Sequence, residues 1–345
     1  MGSGASKAFD VPLARALLTG FLRDSSIDRD VRTRLASFTQ ELNRFKIDPT
    51  LENILTLVDA RVNPSIIKEK AGAFVPEIGD LVKWRALAPQ KRDEDVSKAF
   101  RNYIFRKCFV YDAPQVNKAQ DFFNGLFSGI KNYFRLDEEL KGAGQGFPRV
   151  PIFTTNFDNG FEQFCRREVV DFFDGYDHQG WGGMLFNHTL YGTDGYKTHF
   201  KIYKLHGTVR YVRNTDGNLD EITSLPSDGS ITSNGRSAFP VLVYAESYQY
   251  TSNSPQLELM YLMKEQLMIS NRVVVVGYSF NDPHILTVFR EVLSSRDVVL
   301  IICDPNAHKI IDKKFREHRS NCIPVPVESS RLNPVRDFRR NGVPR

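Results

Sequence analysis

Three residues carry the chemistry that can be read first: Asn156, Asp158 and His206. Asn156 and Asp158 close the run Pro151-Ile-Phe-Thr-Thr-Asn156-Phe-Asp158-Asn-Gly160, where a short apolar stretch ends in an amide and a carboxylate. An amide donates and accepts at once, so it can hold a water and a hydroxyl together. Further on, Tyr203-Lys204-Leu205-His206-Gly207-Thr208 sets a histidine at the end of a second strand-like run. A neutral imidazole suits a general base. Short β-favouring runs that end in polar residues are expected to be buried strands whose C-terminal tips carry chemistry. The two tips are therefore expected to face one ligand. For Asp158 a second role stays open, the N-cap of a helix that Phe161 and Phe164 begin.

Two further pieces have the pattern of a nucleotide site. Arg272-Val-Val-Val-Val276 runs into Gly277-Tyr-Ser279-Phe-Asn281-Asp282-Pro283, then a helical stretch to about Leu293, then Val298-Val-Leu-Ile-Ile302-Cys-Asp304. Four consecutive valines predict burial on both faces, the mark of a parallel sheet. Strand, glycine turn, helix and strand with a terminal acid form a βαβ unit, and Asp304 would suit a ribose diol. It equally fits a capping aspartate, as Asn281 and Asp282 fit caps before Pro283. Near the first residue, Gly2-Ser-Gly4-Ala5-Ser6 precedes a helical pattern from Leu13 to about Leu22. Glycines two apart let a backbone approach phosphate closely, although the same residues make an ordinary turn. A dinucleotide loop follows a strand, and only Met1 stands before this one. Phe239-Pro-Val-Leu-Val-Tyr-Ala245-Glu246 reads as another strand with an acid at its end.

Between these pieces, residues 27–145 read as mainly helical. Val31, Leu35, Phe38 and Leu42 recur at helical spacing, as do Leu51, Ile54, Leu55 and Val58, with Asp48 or Thr50 as an N-cap. The block is expected to be a lid or oligomer surface, or else a plain helical layer on a sheet. Gly142-Ala-Gly144-Gln-Gly146 marks the return to the αβ core. A helix is predicted from the Asn156 tip to about Phe173, another over 256–268, and a hairpin with a long connection over 210–238. His178, His188 and His199 lack metal-ligand spacing. The expected fold is α/β, a Rossmann-like parallel sheet with helices on both faces plus a mainly helical insertion. Residues 1–26 and 146–328 would form the core, 27–145 the insertion and 329–345 a flexible basic tail.

Composition narrows the class. Four cysteines among 345 residues stand singly, with no C-x-x-C pair, which argues against a zinc ribbon or a disulfide scaffold and for a reduced, cytoplasmic setting. No apolar run approaches the ~20 residues of a membrane span, and no signal-peptide pattern is present. A net charge of +5, spread along the chain, carries no nucleic-acid signature.

Taken in order, the pieces resemble the sirtuin-like NAD-binding proteins. Sirtuins carry a glycine-alanine-glycine-x-serine loop, then T-Q-N-I-D, L-H-G-S and phe-gly-glu strand tips, and a late G-T-S-L turn. This chain offers Gly2-Ser-Gly4-Ala-Ser6, Thr154-Thr155-Asn156-Phe157-Asp158, Leu205-His206-Gly207-Thr208, Tyr244-Ala245-Glu246 and Gly277-Tyr278-Ser279-Phe280. The resemblance implies that Gly4, Ala5 and Ser6 receive the pyrophosphate of NAD. Asp158 would accept from the nicotinamide carboxamide, with Phe157 and Thr155 beside it. Gly277 and Ser279 would line the adenosine side, and Asp304 the adenine ribose. His206 would be the general base, Asn156 would position water and ribose, and Glu246 would face that water or a surface lysine. Sirtuin deacetylases hold zinc with paired cysteines between the histidine and the phe-gly-glu tip, where this chain has none. It therefore looks more like the bacterial sirtuin-like NADases of anti-phage defence, with NAD as substrate and no metal. Such proteins commonly oligomerise or work beside an ATPase, helicase-like or phage-sensing partner. NAD-dependent deacylation, ADP-ribosyl transfer, and non-catalytic sensing of NAD or ADP-ribose are the alternative expectations.

Overall fold

Six short runs become parallel strands in two half-sheets. β1 (Pro151–Thr154) pairs with β5 (Phe200–Lys204), which pairs with β2 (Phe172–Phe173). β10 (Arg272–Val276) pairs with β11 (Val299–Cys303), which pairs with β12 (Cys322–Val325). The computed structural model describes all residues except 45, 47–48, 50, 63–90, 137–149, 179–183, 192–197, 215–218, 223–230, 234–235, 243–254 and 345. Asp48, Thr50, Gly142 to Gly146 and Tyr244 to Glu246 thus lie outside the described residues.

Alternation along the strands sends side chains to two cores. Leu300 and Ile302 join the cluster of Met263, Ile285 and Phe289, whereas Ile301 and Cys303 join that of Phe127, Phe164 and Phe200. Helices therefore cover both faces, as a parallel sheet requires. On one face lie α6 (Ala113–Phe134) and α7 (Gly160–Arg167), where Phe123, Phe127, Phe161 and Phe200 form edge and tilted ring contacts. On the other lie α8 (Pro255–Ile269), α9 (Pro283–Ser295) and α10 (Ala307–Lys314). The fold is α/β and Rossmann-like, with a helical N-terminal region.

In that region, α2 (Ala14–Arg23), α3 (Arg29–Arg44), α4 (Leu51–Val62) and α5 (Lys91–Cys108) pack on one another. Phe21 meets Phe100 edge-on at 4.9 Å, and Arg34 reaches the buried Asp93 at 2.8 Å. Two further sheets among the described residues are antiparallel. β3 (Tyr176–His178) pairs with β4 (Met184–Phe186). The other has the order β7-β6-β9-β8, with β6 (Gly207–Asn214), β7 (Leu219–Glu221), β8 (Thr232–Ser233) and β9 (Arg236–Leu242). Arg210 of β6 ties this sheet to the parallel one through Asp174 at 2.6 Å.

Three expectations change. The helix predicted to about Phe173 ends at Arg167; Val169 takes φ 54°, turning the chain so that Phe172 can pair with Phe200. The arginine-rich C-terminus is not a loose tail. Residues Pro334–Arg340 form α11, whose Phe338 is fully buried against Tyr133 of α6 while Arg336, Arg339 and Arg340 face outward. Few apolar residues suffice there because they fall on one face. Lastly, Val273 and Val274 are only half-buried. Among the described residues β10 has one strand neighbour, β11, and its other edge borders a slot.

The first two residues lie between the half-sheets. Met1 N donates to Phe153 O at 2.5 Å, and Thr155 N donates to Met1 O at 3.1 Å, a parallel bridge to β1. Gly2 N donates across to Val276 O of β10 at 3.0 Å. This seam delivers α1 (Ser3–Ser6) to the C-terminal ends of both half-sheets.

Candidate active site

Open α/β sheets bind ligands beyond the carboxyl ends of their strands, and a cavity of about 560 Å³ lies there. Ser6, Thr155, Asn156, Phe157, Asp158, His206, Gly277 and Ser279 all line it, so the two strand tips and the late glycine turn meet in one place. Its size lies within the roughly 300–1,000 Å³ usual for cofactor and substrate sites.

Close backbone packing fixes the floor. Gly4 N donates to Gly277 O at 3.0 Å, and Gly277 itself takes φ 60°. A Cβ on Gly277 would stand 2.4 Å from Ala5 N, and one on Gly2 would stand 2.6 Å from Gly277 O. Neither approach tolerates a side chain. Gly4 and Ala5 are consequently packed behind the cavity wall, and Ser3 and Ser6 are the loop residues in the lining.

Ser6 is a hub. Asn156 Nδ2 donates to Ser6 Oγ at 2.6 Å and to Gly2 O at 3.0 Å; Ser6 Oγ donates to Asp158 Oδ2 at 2.5 Å. The amide is thereby oriented by its nitrogen, which leaves Asn156 Oδ1 buried without a hydrogen-bond partner among the described residues. A buried acceptor that lines a cavity is a contact point for a donor on a ligand or a water.

Asp158 holds the entry to α7 with one oxygen and the loop from Gly2 to Ser6 with the other. Its Oδ1 accepts from Gly160 N at 2.9 Å at the start of α7, while Oδ2 holds Ser6. Burial pushes its carboxyl above the ordinary range, against the pull of Lys204, Ser6 and Gly160. Lys204, itself buried, donates to Asp158 O and pairs with Glu162 at 3.0 Å. The tip of β1 is thus tied to the last residue of β5.

His206 follows β5 with Leu205 between them, in a turn that Gly207 completes with φ 81°. Its Nε2 lies 2.9 Å from Asp282 Oδ2, and both side chains are buried. The other oxygen of Asp282 accepts from His284 N at 2.8 Å and Ile285 N at 3.2 Å, capping α9. Asp282 is therefore both a helix cap and the partner of the histidine. With the proton on Nε2 as donor to Asp282, Nδ1 keeps a lone pair and can take a proton. Before Asp282, Phe280 is fully buried with φ 56°, a costly backbone held by ring contacts to Phe289 and Phe315.

Other residues fall elsewhere. Asp304 does not line the cavity; its Oδ1 accepts from Asn306 N at 2.7 Å in the turn after β11. The lining also includes residues that motif reading passed over, namely Ser3, Arg15 and Cys108, with apolar Val11, Leu17, Leu18 and Leu51 from the helical side. Arg15 is the one permanent cation among the described lining residues. A basic residue within the first turn of the predicted helix was the available signal, but helical spacing alone does not say which face meets a cavity. Cys108 is buried, which pushes its thiol far up and leaves it unreactive. Among the described residues, no group of three or more His, Cys, Asp or Glu could hold a metal ion, and no helix is long and apolar enough to cross a membrane.

Against known proteins, the family model described as SIR2-like domain matches residues 150–322. That span holds Asn156, Asp158, His206, Gly277 and Asp282 and excludes the loop from Gly2 to Ser6. No curated protein matches the chain.

Proposed function

The chain belongs to the SIR2-like domain family, whose members use NAD, and on that basis we propose that it hydrolyses NAD to nicotinamide and ADP-ribose. The observation that carries the reading is the pairing of an oriented amide with an oriented imidazole. Asn156 keeps a buried Oδ1 without a partner among the described residues, and His206, held by Asp282, lines the same cavity.

The bond to break joins C1′ of the ribose to the pyridinium nitrogen. Its electron pair leaves with the ring, which departs as neutral nicotinamide and needs little acid catalysis. An oxocarbenium-like C1′ remains for water to attack. Asn156 Oδ1 accepts from that water or from a ribose hydroxyl. Nδ1 of His206 takes the proton that the water loses, and the imidazolium is stabilised by Asp282. Asp158 and Ser6 keep Asn156 in place, and Asp158 with Phe157 borders the nicotinamide end. Ser3 and Arg15 offer polar contacts to the pyrophosphate, with Gly277 and Ser279 on the adenosine side.

The segment after His206 favours hydrolysis over deacylation. Strands β6 to β9 form an antiparallel sheet, and no cysteine stands between His206 and Glu246. As in the anti-phage NADases that the strand tips resemble, consumption of NAD would be held in check until a trigger arrives. We assign that control to assembly with further copies or with an ATPase, helicase-like or phage-sensing partner.

The test is nicotinamide and ADP-ribose formation from NAD, with partner and trigger supplied. His206→Ala and Asn156→Ala should each lose at least ~10² in rate. No nicotinamide release by the wild-type protein under those conditions would sink the reading. Turnover that depends on an acetylated peptide would move it to deacylation, and NAD binding without turnover would make it a sensor.

A further inference from the structure

The sense of every hydrogen bond around Asn156 follows from one group. Gly2 O can only accept, so the side-chain atom that meets it at 3.0 Å is the amide nitrogen. The same nitrogen lies 2.6 Å from Ser6 Oγ, which accepts there and must pass its own proton on. That proton goes to Asp158 Oδ2 at 2.5 Å, and Asp158 Oδ1 accepts from Gly160 N at 2.9 Å. Both oxygens of Asp158 are therefore acceptors, the role of an ionised carboxylate. A protonated Oδ2 would donate to Ser6 instead and turn the serine proton back against the amide nitrogen, donor facing donor. The chain thus runs one way, amide to hydroxyl to carboxylate. That sense leaves Oδ1 of Asn156 as the acceptor without a partner among the described residues.

A carboxylate buried this far needs a counter-charge. Around it, Ser6 of α1 and Gly160 of α7 are neutral donors, Glu162 of α7 is a second carboxylate, and Lys204 at the end of β5 is the cation. The Cys108 thiol of α5 also faces it, and burial pushes that thiol far up, which keeps it neutral. Burial pushes the Asp158 carboxyl up as well, and the Lys204 ammonium opposes this more strongly than Glu162 adds to it. Lys204 is itself buried, donates to Asp158 O, and lies 3.0 Å from Glu162 Oε1. Its side chain also spans the turn that carries Asn156. Lys204 pairs with Thr154 in the sheet, while its Nζ reaches the carbonyl of Asp158. Leu205 N and Val209 N hold the same turn at Thr154 O and Phe157 O, at 2.9 and 2.8 Å, and His206 stands between those two donors.

We propose that Lys204 is a positioning residue: its buried ammonium holds Asp158 as the acceptor end of the chain from Asn156 through Ser6, and ties the Asn156 turn to the strand that leads into His206. Lys204 does not line the cavity and acts through Asp158. Its effect on rate rests on the hydrolysis proposed above, whereas its effect on Asp158 and Asn156 does not.

The experiment compares the wild-type protein with Lys204→Met and with the charge-balanced pair Lys204→Met and Glu162→Gln. The pair leaves no unpaired buried glutamate, should the single variant fail to fold. The Asp158 carboxyl is titrated by carbon NMR, its signal identified by its loss in Asp158→Asn. It should titrate higher by ~1 pH unit or more in Lys204→Met, and by about half a unit or more in the pair. Hydrogen exchange at the Asn156 side-chain amide should quicken at least ~10-fold. For nicotinamide release, kcat should fall at least ~10-fold with KM changed by less than about threefold. An unmoved Asp158 titration, or unmoved exchange at Asn156, would overturn the proposal whatever becomes of Tm. So would a kcat equal to that of an active wild-type protein. A wild-type protein that releases no nicotinamide would sink the hydrolysis reading alone, because the titration and the exchange still decide the role of Lys204.

Discussion

The imidazole of His206 and the carboxylate of Asp282 meet at 2.9 Å although they lie 76 residues apart. One oxygen of Asp282 faces the ring and the other caps α9, so a single side chain couples helix geometry to histidine orientation. Asn at 282 keeps the cap but no longer offers a carboxylate to an imidazolium. Asp282→Asn should therefore lower nicotinamide release by roughly 10² or more with Tm changed by only a few degrees. Steady-state kinetics beside thermal unfolding checks this, and full activity in the variant would show the contact to be purely structural.

Gly277 and Gly342 both have positive φ, at 60° and 69°, but only Gly277 is crowded. Gly342→Ala meets nothing within 4 Å and should cost about 1 kcal/mol for its backbone conformation alone. Gly277→Ala must also push Ala5 N away from 2.4 Å, which should cost more than about 3 kcal/mol. Denaturant midpoints of the two variants give the comparison, and NAD affinity should fall with Gly277→Ala alone.

On α6, two alanine substitutions should act with opposite sign. Gly125 is exposed and a methyl there touches nothing within 4 Å, so Gly125→Ala should stabilise by about 0.5–1 kcal/mol through helix propensity. A methyl on Gly129 would stand 2.6 Å from Pro334 Cδ of α11. Gly129→Ala should destabilise by roughly 1–3 kcal/mol and loosen α11, seen as faster exchange at Phe338.

For the protein beginning at Met1, burial pulls the terminal amine down from 8.0 to about 5. The unfolded amine binds a proton below pH 8 and the folded one does so only below about 5, so stability is full above pH 8 and declines as pH falls toward 5. The whole displacement corresponds to roughly 4 kcal/mol. Acetylating the amine removes the charge and should abolish this decline. The gap between the acetylated and free forms should widen from pH 8 to pH 5; a constant gap would contradict the burial of the ammonium.

Much of this site could be read from local pattern. The tips at Asn156 and His206 and the βαβ unit from Arg272 to Cys303 are short apolar runs ending in polar residues, which is how buried parallel strands look in sequence. What escaped depends on distant contact. Asp282 before Pro283 has the full signature of a helix cap, and nothing local indicates that its second oxygen meets His206. Asp304 has the spacing of a ribose acid but spends its oxygen on the next turn. The arginines near the C-terminus suggested a loose segment because three apolar residues, Pro334, Phe338 and Val343, carry its apolar burial. The half-exposure of Val273 and Val274 could not be foreseen from four valines, since it depends on which edge of the sheet they occupy.

The contact of Gly2 and Gly4 with Gly277 bears on access to the cavity. Three glycines touching backbone to backbone leave no side chain to swing aside, so the floor behaves as one plate bolted to both half-sheets. Entry is then decided at the rim on the helical side, where Leu13 and Arg15 are exposed and Ala14 is half-buried. Substitutions along that rim would change which molecules are admitted and how fast they leave, without disturbing Asn156 or His206.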